Sequence, residues 1–257
     1  MTKPYQAPIV KKAFLILKAI SSANRGLRLG EISTRLGISK STVHGITNAL
    51  EEQGAILRDP VSREFTIGAT LMELGKAAYE RMDFKRAARP AMEHLMEQCH
   101  ESVFLGVRNK SSVTIIDIVE SRKDFKISSP IGTSLPLLAG AMGKIFLSAM
   151  TPVDARAYLM ANPPNQFTPK TITDPDTYLK TLEAVRETGI AFDDEEYIAG
   201  VRAVAAPIHP QGAYFPAIWV VGFTASMEDE KIPAIITQLR AAALQINTTL
   251  AGTPAGS

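Results

Sequence analysis

A single cysteine, Cys99, in 257 residues excludes an intrachain disulfide, and with it the small secreted domains that depend on one. No uninterrupted apolar run approaches the roughly 20 residues of a membrane-spanning helix. Residues 1–8 hold no apolar core of a secretory signal, so the expected setting is the cytoplasm, with no membrane partner. Histidine is scarce. Of the four, only His94 and His100 lie near Cys99, and their spacing fits no zinc pattern, so neither a metal nor another cofactor is expected. Low-complexity tracts are missing too. Against these absences, 46% of the residues are hydrophobic and 21% charged, enough apolar material for the cores of two compact domains.

The net charge of +2 hides an uneven distribution. Residues 1–65 carry ten of the 28 Lys and Arg but only five of the 26 Asp and Glu, a net +5 that leaves −3 on the remainder. A basic first quarter on an acidic remainder points to a polyanion at one end, although a solvated basic surface has the same composition.

Within that quarter Val10, Ala13, Phe14, Leu17 and Ile20 recur at helical spacing and predict an amphipathic first helix. Ser21 to Gly26 supply turn residues, and Leu27-Arg28-Leu29 reads as a short extended piece. A second helix runs from Glu31 to Leu36 and stops at Gly37, since glycine takes the left-handed conformation that a helix exit often needs. Ser39 is an N-cap for a third helix, from Lys40 to about Gln53, with Val43, Ile46 and Leu50 along its apolar side. Its other side presents Ser41, His44, Gly45 and Asn48, with Lys40 and Thr42 near the start. A short helix, a tight turn and a polar-faced helix make a helix-turn-helix, whose second helix suits a DNA major groove. Lys40, Ser41 and Thr42 stand where the helix dipole and free N–H groups favour phosphate. His44 and Asn48 can bond base edges, and Gly45 removes bulk at a close approach.

Two β-prone runs, Ala55 to Arg58 and Arg63 to Ile67, flank an Asp59-Pro60 turn and predict a hairpin wing, with Arg58 and Arg63 in reach of phosphate or the minor groove. A small helical bundle that binds protein is the competing reading of this segment. Gly68 to Met82 reads as a connecting helix, and Phe84 to His100 as another, interrupted or started by Pro90. From Ser102 onward strand pairs alternate with helices. Val103 to Arg108 and Val113 to Val119 form a hairpin, helices follow at Ala139–Met150 and Asp174–Thr188, and the last helix spans Lys231–Leu250. Strand hairpins mixed with long helices argue for an α+β fold.

Three stretches together resemble the IclR family of bacterial regulators, over about Val10 to Leu250. They are Leu29-Gly30-Glu31-Ile32-Ser33 through Gly37-Ile38-Ser39-Lys40-Ser41-Thr42-Val43; Gly132 to Leu137 with Ala141-Met142-Gly143-Lys144; and Gly189 to Glu196 with Gly200 to Ile208. The resemblance implies a winged helix-turn-helix over 1–67, a linker helix over 68–83, a GAF-like effector-binding domain with an antiparallel sheet flanked by helices over 84–251, and a disordered tail over 252–257. It also implies double-stranded DNA with a pseudopalindromic operator as partner, homodimers through the DNA-binding domains and often homotetramers. The effector positions it carries over are Ala141, Met142, Asp193, Ala203, Trp219 and Val221. Family members that sense small polar acids tend to place Cys or Ser at the last three, whereas this chain is apolar there. That departure predicts an aromatic or otherwise apolar carboxylate as effector. The alternative is that Trp219 fills the cavity and packs the core.

Enzyme chemistry finds little support. A P-loop needs glycine where Leu138 stands and Ser or Thr where Ile145 stands, so Lys144 is expected to pair with a carboxylate or cap carbonyls. In Asp193-Asp194-Glu195-Glu196 neighbouring side chains of a strand point to opposite sides, which makes a poor acid/base pair and leaves Asp193 alone at the cavity. No nucleophile signature surrounds Ser134 or His209. A sensor or enzyme-like domain whose helix-turn-helix serves protein interaction remains the alternative to a DNA-binding regulator.

Overall fold

The structure, a computed structural model, describes residues 7–80, 82–209 and 215–252, in two compact units divided between Met82 and Asp83. The first unit holds α1 (Pro8–Ser21), α2 (Leu29–Leu36), α3 (Lys40–Glu52), β1 (Ile56–Arg58), β2 (Phe65–Ile67) and α4 (Ala69–Glu80). Gly37 closes α2 with a left-handed φ of 63°, and the Ser33 hydroxyl donates to the Ile38 carbonyl at 2.6 Å to tie off the turn. Ser39 caps α3, its Oγ accepting the Thr42 N–H at 3.3 Å. β1 and β2 pair antiparallel with Leu57 opposite Thr66, and Leu27 adds a bridge to Phe65. Ile16, Ile20, Ile32, Val43, Ile56 and Phe65 form the core of this unit.

The buried side of α1 matches the expected one only in part: Ala13, Leu17 and Ile20 do pack into the core, but the face is turned so that Val10 and Phe14 lie outside it. Ile16, Ala19 and Ile20 face inward, whereas Val10 and Phe14 are 51% and 61% exposed. Ile9, Val10, Phe14 and Leu15 give this helix a second apolar stripe, and periodicity cannot tell which of two stripes a domain covers.

The second unit is a six-stranded antiparallel sheet with helices on both faces. Its strands are β3 (Ser102–Asn109), β4 (Ser112–Val119), β5 (Ser134–Pro136), β6 (Ala191–Asp194), β7 (Val201–Pro207) and β8 (Pro216–Phe223), in the order β5-β4-β3-β8-β7-β6. One face carries α5 (Asp83–Cys99) and α9 (Ile232–Gly252), packed against each other. On the other lies α6 (Gly140–Ser148), backed by α8 (Pro175–Thr188) and α7 (Pro152–Ala161). Alternation along β8 assigns Ala217, Trp219 and Val221 to the core shared with α6 and α8. α5 continues through Pro90 as one helix. β5 lies in what reads as a loop in the sequence. It is three residues at a sheet edge, where Pro136 forfeits no ladder bond. The tail expected over 252–257 lies, beyond Gly252, outside the described residues.

Candidate DNA-binding surface and effector cavity

On the first unit the polar side of α3 is open. Lys40, Ser41, His44, Gly45 and Asn48 are exposed, and Thr42 is half-buried, its hydroxyl 2.8 Å from the capping Ser39 Oγ. His44 and Asn48 are one helical turn apart, their side-chain nitrogens 3.4 Å from each other, so they present donors and acceptors as a pair. Nothing lies within 4 Å of a Cβ added to Gly45, so packing within the unit does not account for a glycine there. Thr47, which sequence reasoning passed over, is the buried polar residue of this helix, and its hydroxyl donates to the Val43 carbonyl at 2.9 Å.

The two arginines of the wing differ. Asp59 orders the turn, its carboxylate accepting the N–H groups of Val61 at 2.9 Å and Ser62 at 2.6 Å, and these bonds hold its pKa below the usual carboxylate range. Arg63 closes the turn with a left-handed φ of 61° and an exposed side chain. Arg58 is half-buried, its guanidinium 5.3 Å from the Phe65 ring centroid and its Nε enclosed without a hydrogen-bond partner. Elsewhere on this unit Arg25 is held by Glu31 at 2.6 Å and by Glu64, which also draws Arg28 to 3.9 Å. Among the described residues Lys40 and Arg63 form no ion pair, so their charge stays available to an external anion.

On the second unit a cavity of about 210 Å³ opens between the sheet and the first turn of α6. Ala141, Met142, Asp193, Ala203, Trp219 and Val221 all line it. The N-cap of α6 is Ala139, which has no side-chain acceptor, so the first N–H groups of the helix lack a side-chain cap. Asp193 lies against this helix start, where a Cβ on Gly140, itself at φ 62°, would stand 2.0 Å from the carboxylate Oδ2. Burial pushes the Asp193 carboxyl up to about 6, opposed by the Glu196 N–H that donates to Oδ1 at 2.6 Å. Trp219 stacks on Phe104 with ring centroids 5.4 Å apart and planes at 14°, which makes one wall aromatic.

Profiles of two families match the chain: "IclR helix-turn-helix domain" over residues 9–60 and "Bacterial transcriptional regulator IclR C-terminal" over residues 76–248. The chain belongs to the IclR family. Its relatives include the glycerol operon regulatory protein of Streptomyces coelicolor, 30% identical over 94% of this chain and 95% of that protein. Among solved structures, the IclR transcriptional regulator of Alicyclobacillus acidocaldarius superposes with a TM-score of 0.81 at 26% identity, covering 95% of this chain and 99% of that one. An IclR homologue of Microbacterium hydrocarbonoxydans, solved in complex with 4-hydroxybenzoate, shares the fold with a TM-score of 0.77 at 20% identity, covering 95% of this chain and 100% of that one.

This IclR-family chain is thus a transcriptional regulator with a helix-turn-helix DNA-binding domain and an effector-binding C-terminal domain. Lys144, the residue a P-loop reading would have used, is buried and donates to the Phe192 carbonyl at 2.7 Å and to the Glu196 carboxylate. The acidic run splits as strand alternation requires. Asp193 faces the cavity, while Asp194 pairs with Arg202 at 2.6 Å and Lys170 at 3.0 Å. Cavity residues that sequence reasoning missed include Phe104, Ile127, Ser128, Ser129, Tyr197 and Ile198. Tyr197 and Ile198 directly follow the acidic run and were within reach of it. Ser128 and Ser129 sit in an irregular segment without periodicity, and nothing local marks them.

Proposed function

We propose that this regulator binds a pseudopalindromic operator as a homodimer in the cytoplasm, and that a small apolar carboxylate carrying one ring controls it from the second domain. α3 is the reading helix. Lys40, Ser41 and Thr42 lie against phosphate, Gly45 lets the backbone approach, His44 and Asn48 meet base edges, and Arg63 with Arg58 carries the wing to the flanking backbone or minor groove. Two such helices enter successive major grooves about 34 Å apart. The exposed apolar stripe of α1, with Phe14 61% and Ile9 56% exposed, supports pairing of two copies through the first unit, since a lone domain gains nothing by exposing it.

The observation that carries the effector class is the chemistry of the cavity. Its walls are apolar and aromatic, with Ala203, Trp219 and Val221 where polar-acid sensors would need hydroxyls or thiols. Its one charged group, the Asp193 carboxyl, stands beside the uncapped start of α6, with Ser128, Ser129 and Tyr197 as the other polar residues of the lining. A carboxylate at the start of α6 takes the Ala141 and Met142 N–H groups, and its ring lies along Trp219. At about 210 Å³ the space is smaller than the roughly 300–1,000 Å³ of sites for drug-sized ligands, which favours a single ring. The complex of the Microbacterium homologue with 4-hydroxybenzoate supports the same ligand class. The effector shifts DNA affinity by its unequal affinity for the DNA-competent and DNA-incompetent states.

The test is a salt titration of binding to the DNA upstream of the regulator's own gene, with and without 4-hydroxybenzoate, against an unrelated fragment. Steep salt dependence with strong preference for the first fragment, altered by the acid, is the expected result. Equal binding of both fragments at every salt concentration would overturn the operator reading. Release only by two- or three-carbon acids such as glyoxylate would overturn the effector class.

A further inference from the structure

Gly106 faces the cavity side of the sheet without itself lining the cavity. In the β3–β8 pair Phe104 stands opposite Trp219 and Gly106 opposite Ala217, so Trp219 and Gly106 are diagonal neighbours. The indole leans across this diagonal. A Cβ on Gly106 would lie 2.8 Å from its Cη2, 2.9 Å from its Cζ3 and 3.0 Å from the Thr114 carbonyl oxygen. The register of β3 on β4 slips here, Leu105 pairing with Asp117 and Gly106 with Ile115, which leaves Ile116 as the extra residue of a bulge. A glycine in a strand interior weakens the strand unless another group must come close, and here that group is the indole.

We infer that Gly106 determines effector specificity: the room it leaves against the sheet holds the Trp219 indole back and keeps a ring-sized space open in the cavity. This rests on the effector class proposed above. Any side chain at 106 has to displace the indole. The backbone at Thr114 yields little and Phe104 holds the flank of the stack, so the ring moves outward into the cavity of about 210 Å³. Gly106 is a positioning residue acting through Trp219, and it selects by volume: with glycine a ring fits above the indole, and with a larger residue it does not.

The experiment compares full-length wild type, Gly106→Ala, Trp219→Phe and the double variant by calorimetric titration with benzoate. Phenylalanine lacks the part of the indole that the new methyl would strike. The expected result is that Gly106→Ala weakens benzoate binding about tenfold or more in the wild-type background and hardly at all in the Trp219→Phe background. Trp219 is the only tryptophan, so its emission reports the displacement directly: in ligand-free Gly106→Ala it should shift to the red and become more accessible to acrylamide. An equal loss of benzoate affinity in both backgrounds, or unchanged emission, would overturn the inference. Should Gly106→Ala fail to fold, recovery of the fold in the double variant supports the contact and its failure overturns it. Wild type that binds no benzoate refutes the effector class, and the emission of the ligand-free variant then still decides whether Gly106 holds the indole.

Discussion

The two functional regions of this regulator are built on opposite plans. The polar face of α3 takes its groups from nine consecutive residues, Lys40 to Asn48, and leaves them exposed, with most of their bonding capacity unspent. The effector cavity takes its wall from all six strands of the sheet, the start of one helix and two irregular segments, and its one charged group, Asp193, is buried and already accepts the Glu196 N–H. If the first region reads a polyanion in water, as proposed, its side chains need only a rigid helix beneath them and free charge. The second has to exclude water, so its selectivity lies in volume and in the few polar groups that burial has made expensive to leave unpaired. Substitutions on α3 should therefore change binding and spare stability, and substitutions around the cavity should change both.

The largest effect is expected at Lys144. Its side chain and that of Glu196 are only 6% and 12% exposed, so Lys144→Met leaves a buried carboxylate without its cation. Breaking one side of such a pair costs about 3–5 kcal/mol. Urea unfolding should show that loss, and Lys144→Met combined with Glu196→Gln should recover most of it. An equal loss in the double variant would mean that the bond from Lys144 to the Phe192 carbonyl matters more than the ion pair.

Next in size is a pH effect at Asp193. Its folded pKa of about 6 lies above the ordinary value of roughly 3.9, so between the two the folded state binds more protons than the unfolded one. Stability should then fall as pH rises from about 4 to about 6, by up to ~3 kcal/mol, and Asp193→Asn should remove this slope. Benzoate binding should follow the same group. The anion is tolerated beside a protonated Asp193 and opposed by an ionised one, so affinity should drop about tenfold per pH unit above 6 and become flat in Asp193→Asn. A stability profile that rises over that interval, or benzoate binding independent of pH, would break the assignment.

How much of each region the sequence disclosed follows from the same contrast. The cap at Ser39, the turn at Gly37 and the exposed set on α3 were legible because a helix converts spacing directly into a face. The inward side of α1 was legible only in part, Ala13, Leu17 and Ile20 but not Ile16 and Ala19, because two apolar stripes compete on it and only the tertiary structure chooses. Asp193, Ala203, Trp219 and Val221 came from resemblance to a family; no local pattern brings residues 193 and 219 together. Their meeting depends on strand order, with β7 between β6 and β8, and the place of Gly106 under Trp219 depends on register and on a bulge. Such non-local pairings leave no periodic trace. Lys144 lies between these cases: the failure of the P-loop pattern pointed to an ion pair or carbonyl cap, and it makes both bonds.

On the DNA side the expected effects are smaller and leave the fold alone. Asn48→Ala should cost about 1–3 kcal/mol against the preferred operator and relax choice at one or two base positions, as should His44→Ala. Thermal unfolding of both should match wild type, because both side chains are exposed and their mutual approach of 3.4 Å is weak. Selection from a randomised operator checks this. Unchanged base preference in both variants would put the reading elsewhere than on α3.

The smallest effect separates free charge from spent charge within one domain. Arg63 is exposed and forms no ion pair among the described residues, whereas Arg25 is committed to Glu31 and Glu64, which raise its pKa. If Arg63 meets a phosphate, Arg63→Ala should reduce the slope of log affinity against log salt by about one unit for each phosphate it no longer neutralises, weakening all sequences alike. Arg25→Ala should leave that slope unchanged, since a guanidinium already paired with two carboxylates releases no counterion on binding DNA. Equal slopes for the two variants would show that the internal pairing of Arg25 opens on the duplex, or that the wing never reaches the backbone. Repeating the titration with Glu31→Gln and Glu64→Gln combined separates these: the pair frees Arg25 and steepens the slope only if that part of the surface lies against DNA.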